Sequence, residues 1–232
     1  MKALRILIAD DHEVVRHGLR ALLEAREGWE ICGEGVDGRD AVAKAAQLKP
    51  DLVILDIGMP NLNGLDAARQ ILRAEPRTTV LILTIDESEQ VMREVLNAGA
   101  RGFLLKSDAA RDLVAAVEAL QRHRTFFTSK VAEIVLDGYL SGRDPSPALP
   151  EISQDRLTAR EREVVQLLAE GKTTKEVACV LGMSVKTAET HRSNIMRKLN
   201  FHSVSQVVLY AVRNNIVQVS PSAAAAAGSE SP

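Results

Sequence analysis

Five residues of complementary chemistry each stand directly behind a short apolar run: Asp10 and Asp11 after residues 4–9, Asp56 after 52–55, Thr84 after 80–83 and Lys106 after 102–105. Taken singly, each reads as an ordinary strand-end cap. Together they form a chemical set. Three carboxylates converging in one crevice repel one another unless a cation sits among them, and hard oxygen ligands with open water positions suit Mg²⁺. Lys106 supplies a fixed positive charge and Thr84 a hydroxyl, which together can hold the oxygens of a phosphoryl group. With metal and lysine stabilising charge on the transferring group, Asp56 is placed as nucleophile, and the set fits phosphoryl transfer to a carboxylate.

For these residues to meet, the runs that precede them must lie side by side. Residues 4–9, 29–32, 52–55, 80–83 and 102–105 read as short buried strands. Between and after them, residues 14–25, 39–48, 65–74, 90–98 and 111–121 carry apolar side chains at helical spacing, as in Val91, Val95 and Ala98. Turn and stop signals fall at the joins: Gly28, Pro50, Gly64, Pro76, and Gly99 followed by Gly102. Repeated strand-helix units imply an α/β fold, a (βα)5 doubly wound parallel sheet with helices on both faces. In such a sheet chemistry gathers at the carboxyl ends of the strands, where this set falls.

The segments ADDH (9–12), DIGMPNLNG (56–64), LT (83–84) and GARGFLLK (99–106) resemble the receiver domain of bacterial response regulators, over roughly residues 3–122. The resemblance implies that Asp56 accepts phosphate from a partner sensor histidine kinase. It also implies that Asp11, Asp56 and the main-chain carbonyl of Gly58 ligate Mg²⁺, with Asp10 assisting through water. By the same resemblance Thr84 and Phe103 are the switch pair, the hydroxyl moving toward phosphate and the ring following it inward. Ile85 stands where many receivers have a smaller residue, and bulk there would restrict access to the phosphoryl group.

The far end of the chain has another character. Residues 155–217 hold ten Lys and Arg against six Asp and Glu, whereas the whole chain carries a formal charge of −2. A basic end on an acidic body points to nucleic acid contact at one end only. Thr158 with Glu161, and Thr173 with Glu176, have the spacing of capping boxes; Gly171 and Gly182 follow as stops, and Ser184 can cap a third helix over 185–199. A helix, a tight glycine turn and a second helix make a helix-turn-helix. Ala188, Ile195 and Leu199 should face its core, leaving Lys186, Glu189, Thr190, Ser193 and Arg197 on the side a major groove would meet.

Residues 157–199 resemble the DNA-binding domain of LuxR-type regulators, and that domain behind a receiver marks the NarL/FixJ family of two-component response regulators. Carried over, Glu189, Thr190 and Ser193 face base edges in double-stranded promoter DNA, while Thr174, Lys175, Lys186, Arg192 and Lys198 are the phosphate contacts. Some members place lysine at the first and third reading positions; Glu189 instead suits the amino group of cytosine, and a different operator is expected. Residues 203–214 resemble the helix through which such domains pair as a homodimer on DNA, besides packing under the other helices.

The expected division is a receiver at 1–124, a linker at 125–154 with one helix over 128–140, a helix-turn-helix domain at 155–218 and a disordered tail at 219–232. A chain of 232 residues with 46% hydrophobic and 3% aromatic content suits two cores built from Leu, Val, Ile and Ala. The apolar runs are too short for a membrane span and no secretory signal is read, so a cytoplasmic location is expected. Cys32 and Cys179 are expected to be reduced and buried. A Mg²⁺-dependent phosphatase is the rival reading, but it would need a second acid where Gly58 stands and an inserted substrate cap. An enzyme is therefore not expected beyond slow self-phosphorylation from small phosphodonors and slow loss of that phosphate. A constitutive DNA-binding protein with an idle receiver is the other rival, and the intact acidic set argues against it.

Overall fold

The computed structural model describes residues 3–127 and 157–218. The helix expected over 128–140, the proline-rich stretch behind it and the tail from 219 lie outside the described residues. The chain divides into two compact units between Gln154 and Asp155.

In the first unit five strands alternate with five helices: β1 Leu4–Ala9, α1 Glu13–Glu24, β2 Trp29–Gly35, α2 Gly38–Leu48, β3 Leu52–Asp56, α3 Gly64–Ala74, β4 Thr79–Thr84, α4 Glu89–Asn97, β5 Gly102–Leu105 and α5 Ala109–Gln121. The strands are parallel, in the order β2-β1-β3-β4-β5. Because side chains alternate along a strand, each run serves two cores. Leu7, Val53, Leu55, Val80, Ile82 and Phe103 pack with α2, α3 and α4. Ile6, Ile8, Ile54, Leu81, Leu83 and Leu104 pack with α1 and α5. Full burial of each such side chain is worth about 1.5–3 kcal/mol, which is why these runs read as continuous apolar stretches in the sequence.

The helices begin where the caps stand. The side chains of Asp37, Asn63 and Ser88 each accept from the backbone N–H three residues on, satisfying a donor that the first turn leaves open. Two glycines do more than turn the chain. A Cβ on Gly38 would lie 1.9 Å from the Leu62 carbonyl oxygen, and one on Gly64 would lie 2.0 Å from that of Asp56. Past α5 the chain returns to the sheet: Phe126 accepts from the Phe103 N–H at 2.9 Å and donates to the Arg101 carbonyl at 3.0 Å, extending the β5 edge.

The second unit is all helical among the described residues: α6 Ala159–Ala169, α7 Thr174–Val180, α8 Val185–Leu199 and α9 Val204–Arg213. Both expected capping boxes form, Thr158 with Glu161 and Thr173 with Glu176, and Ser203 with Gln206 makes a third. Gly171 and Gly182 adopt φ of +84° and +60°, the left-handed conformation that ends α6 and α7. Val164, Val165, Leu167, Val177, Ala188, Ile195, Val207 and Ala211 form the core, with Leu199 packed against it. No described helix is long and apolar enough to cross a membrane.

The cysteines depart from expectation. Cys179 is exposed and Cys32 only half-buried, both as free thiols. Val177 and Ala178 of α7 and Leu181 at its cap are buried, a stripe that turns the intervening Cys179 outward.

Candidate functional site

In the observed strand order the chain starts in the middle of the sheet and winds outward first to β2, then to β3. The crevice at that reversal opens beyond the carboxyl ends of β1 and β3. Asp10 follows β1 and Asp56 ends β3, so the topology alone brings two acids to one place. Asp10 is fully buried, Asp56 is 2% exposed, and Asp11 stands at the open mouth. Lys106, just past β5, spans them: its Nζ lies 2.8 Å from Asp10 Oδ2 and 3.0 Å from Asp56 Oδ1.

One ammonium does not neutralise these carboxylates. Burial first, and then the neighbouring charge of Asp10, push the Asp56 carboxyl up to about 6 against the pull of Lys106. Burial would lower the Lys106 ammonium, but Asp56 and Asp10 outweigh it and hold its pKa above the ordinary value. Ligand atoms of Asp10, Asp11, Asp56 and His12 lie within 4.8 Å of one another. A set dominated by carboxylate oxygens, carrying more negative charge than Lys106 offsets, fits a hard divalent cation. Gly58 sits half-buried in the loop two residues past Asp56.

Thr84 ends β4 fully buried, its Oγ1 accepting from the Asp86 N–H at 3.0 Å, and pairs in register with Leu105, next to Lys106. Phe103 is already inside the core at 1% exposure. Ile85 turns outward, 65% exposed.

His12 escaped the sequence reading. Its backbone N–H donates to Asp10 Oδ1 at 2.8 Å, and its Nδ1 lies 3.2 Å from that oxygen and 2.9 Å from Asp11 Oδ1. Adjacency to the acidic pair was the signal. Gly64 was read as a turn residue; it is the first residue of α3, pressed against the main chain of Asp56.

On α8, Ala188 and Ile195 face the core while Lys186, Glu189, Thr190 and Ser193 stand exposed on the outer side. Arg192 reaches across to α7, its guanidinium 3.4 Å from Thr174 Oγ1, so these two residues meet at the same edge; Lys175 beside them is exposed. Lys198, the remaining expected phosphate contact, has an ion-pair partner within its own domain. Its Nζ lies 2.7 Å from both carboxylate oxygens of buried Glu161, tying α8 to the start of α6.

Residues 6–118 match the family model described as the response regulator receiver domain, and residues 155–211 the one described as bacterial regulatory proteins of the luxR family. The transcriptional regulatory protein LiaR of Bacillus subtilis is 40% identical over 217 residues, which cover 92% of this chain and 99% of that protein. The response regulator VraR of Staphylococcus aureus is 34% identical over 93% of this chain and 99% of its own. Among solved structures, the RcsB response regulator of Salmonella typhimurium aligns over 92% of this chain and 99% of that one at 28% identity, with a TM-score of 0.59. A structure of an RcsB–DNA complex aligns over the same shares at 27% identity and a TM-score of 0.55. The chain thus belongs to the NarL/FixJ family of response regulators, DNA-binding transcriptional regulators that join a receiver to a LuxR-type helix-turn-helix.

Proposed function

We propose that Asp56 receives a phosphoryl group from a sensor histidine kinase in the presence of Mg²⁺, and that this controls pairing and promoter binding by the helix-turn-helix. The observation that carries this is the position of Lys106 Nζ, 2.8 Å from Asp10 and 3.0 Å from nearly buried Asp56. Asp11, Asp56 and the Gly58 carbonyl would hold Mg²⁺, with Asp10 assisting through water, and the ion would supply charge neutralisation at the transferring oxygens. An oxygen of Asp56 attacks phosphorus, the N–P bond of the donor's phosphohistidine breaks, and its electron pair stays on the imidazole nitrogen. Lys106 then holds a phosphoryl oxygen, and the Thr84 hydroxyl donates to another. Phe103, buried beneath, fixes the new position of the β4 end. Slow labelling by small phosphodonors and slow loss of that phosphate are the catalysis expected of this site.

On the DNA side, Glu189, Thr190 and Ser193 face base edges, and Thr174, Lys175, Lys186 and Arg192 hold the backbone. α9 serves pairing of two copies on DNA. RcsB of Salmonella enterica has been seen bound to a promoter in the presence of a phosphomimetic, which supports the coupling of the two ends. The working division is a receiver at 1–124, a linker at 125–154 and a DNA-binding domain at 155–218, in a protein of the cytoplasm.

Promoter binding measured with and without a small phosphodonor and Mg²⁺ tests both ends together. Labelling and tighter binding are expected for the unaltered chain, and neither for Asp56→Asn. Equal labelling of the two would overturn the assignment of Asp56.

A further inference from the structure

The acidic pair beside Asp56 is anchored by a residue outside the pocket. Arg16, one turn into α1, turns its guanidinium back toward β1 and β2. Its NH1 donates to the main-chain oxygen of Asp10 at 2.8 Å, and its Nε to Glu34 Oε2 on β2 at 3.1 Å. Glu34 does not depend on Arg16 alone: Arg20 donates to Oε1 at 2.6 Å, and Lys44 on α2 donates to the Glu34 main-chain oxygen. Only 11% of the Arg16 side chain is exposed.

We infer that Arg16 is a positioning residue for the metal-binding carboxylates, and that its contact with the Asp10 carbonyl sets the affinity for the divalent cation. That carbonyl belongs to the peptide joining Asp10 to Asp11, so the atom Arg16 holds determines how the Asp11 carboxylate leaves the strand. The N–H of Asp10 is fixed from the other side by the Gly35 carbonyl at 3.2 Å. With both backbone groups of Asp10 held, the acids that bracket the cation cannot rotate independently. Arg16 has the geometry for this because its planar fork reaches a carboxylate and a carbonyl at once, which a lysine ammonium on a flexible stem does not. The charge of Arg16 works against it, since a guanidinium near a cation site repels the cation. The orientation effect is inferred to win because the guanidinium meets Asp10 at its main chain and spends its charge on Glu34.

The inference rests on the Mg²⁺ reading of the pocket, and calorimetric titration of the full chain with Mg²⁺ separates the two. Outer-shell groups of metal sites are worth about 10–100-fold in affinity. For Arg16→Gln a dissociation constant raised about 10-fold is expected, with phosphodonor labelling restored to its full rate by correspondingly higher Mg²⁺. Arg20→Gln breaks the same Glu34 cluster without touching Asp10, and should stay within about 2-fold of the unaltered chain. If Arg16→Gln does not fold, as read by thermal melting, Arg16→Lys keeps charge and stem and should still weaken Mg²⁺ several-fold. Unchanged or tighter Mg²⁺ binding in the Arg16 variants overturns the inference, as does equal weakening by Arg20→Gln. Absence of any Mg²⁺ heat in the unaltered chain overturns the underlying reading as well.

Discussion

At the carboxyl end of the sheet, charged groups are crowded together away from water; on the outer side of α8 they are spread apart in it. Asp10 and Asp56 share one ammonium, and the cost of that confinement is visible in the Asp56 carboxyl, pushed up to about 6. Lys186, Glu189, Thr190 and Ser193 are exposed, and the hydrogen bond that Thr190 makes goes to its own helix, the Lys186 carbonyl. The first site is a sprung arrangement that a bound cation or phosphoryl group would relax. The second is uncommitted, and its energetics come from what it touches. Substitutions should therefore trade stability against function at the acidic pocket, and separate them on α8.

The harshest test is at Gly64. An added Cβ would stand 2.0 Å from the Asp56 carbonyl oxygen, so α3 or the end of β3 must move. Gly64→Ala should cost about 3 kcal/mol or more in urea denaturation and abolish labelling in the fraction that folds. Ser193→Ala on α8 should leave the denaturation curve where it is. Equal stability of the two variants would erase the contrast.

Next in size is the release of strain at Asp56 itself. Its folded pKa is raised, so the carboxyl contributes stability fully present below its unfolded value near 3.8 and lost as pH rises through about 6. Two pH units correspond to about 3 kcal/mol. In Mg²⁺-free buffer at pH 7.5, Asp56→Asn should thus be more stable than the unaltered chain by up to about 3 kcal/mol, with the gap closing near pH 4. Addition of Mg²⁺ should stabilise the unaltered chain and narrow the gap. A variant less stable at every pH would show that the site stores no such strain.

The contrast between the regions also governs what could be read without coordinates. Strands buried on both faces appear as apolar runs, so the five-residue set and its location were legible, as were helix starts marked by Thr158, Thr173 and Ser184. Contacts decided by packing between distant segments were not. Gly38 and Gly64 are required by main-chain carbonyls, of Leu62 in a loop and of Asp56 at the end of β3, which no local pattern announces. Lys198 and Glu161 are 37 residues apart, and only the packing of α8 on α6 makes them partners. α7, seven residues long, is too short for periodicity to assign a face, and Cys179 was misplaced for that reason.

On α8 the larger effect is one of preference. Glu189 is exposed on α8 and its carboxylate accepts without donating, so in the proposed reading position it would favour a base pair that offers a cytosine amino group. Glu189→Ala should remove about 1–3 kcal/mol of discrimination at one base pair while leaving stability unaltered, as read by selection from a randomised operator. Retained preference would place another residue in the groove.

The finest distinction is between two lysines on this one helix. Lys186 has no ion pair among the described residues, whereas Lys198 lies 2.7 Å from Glu161. For a lysine on a phosphate, removal of its charge lowers the slope of log affinity against log salt by about 0.9 per domain, and Lys186→Gln should do this without changing stability. Lys198→Gln should leave the slope in place and cost about 1 kcal/mol, a modest figure because its ammonium is partly solvated. The Glu161 end supplies a pH signature. Burial pushes its carboxyl up, but Lys198 and Thr158 outweigh burial and hold it below its ordinary value, so its contribution is present at neutral pH and lost on acidification. The Lys198→Gln deficit should accordingly shrink as pH falls below about 4.5, where Glu161 protonates in the unfolded chain and then in the folded one. A deficit independent of pH, or a salt slope that falls as it does for Lys186, would return Lys198 to the DNA-binding face.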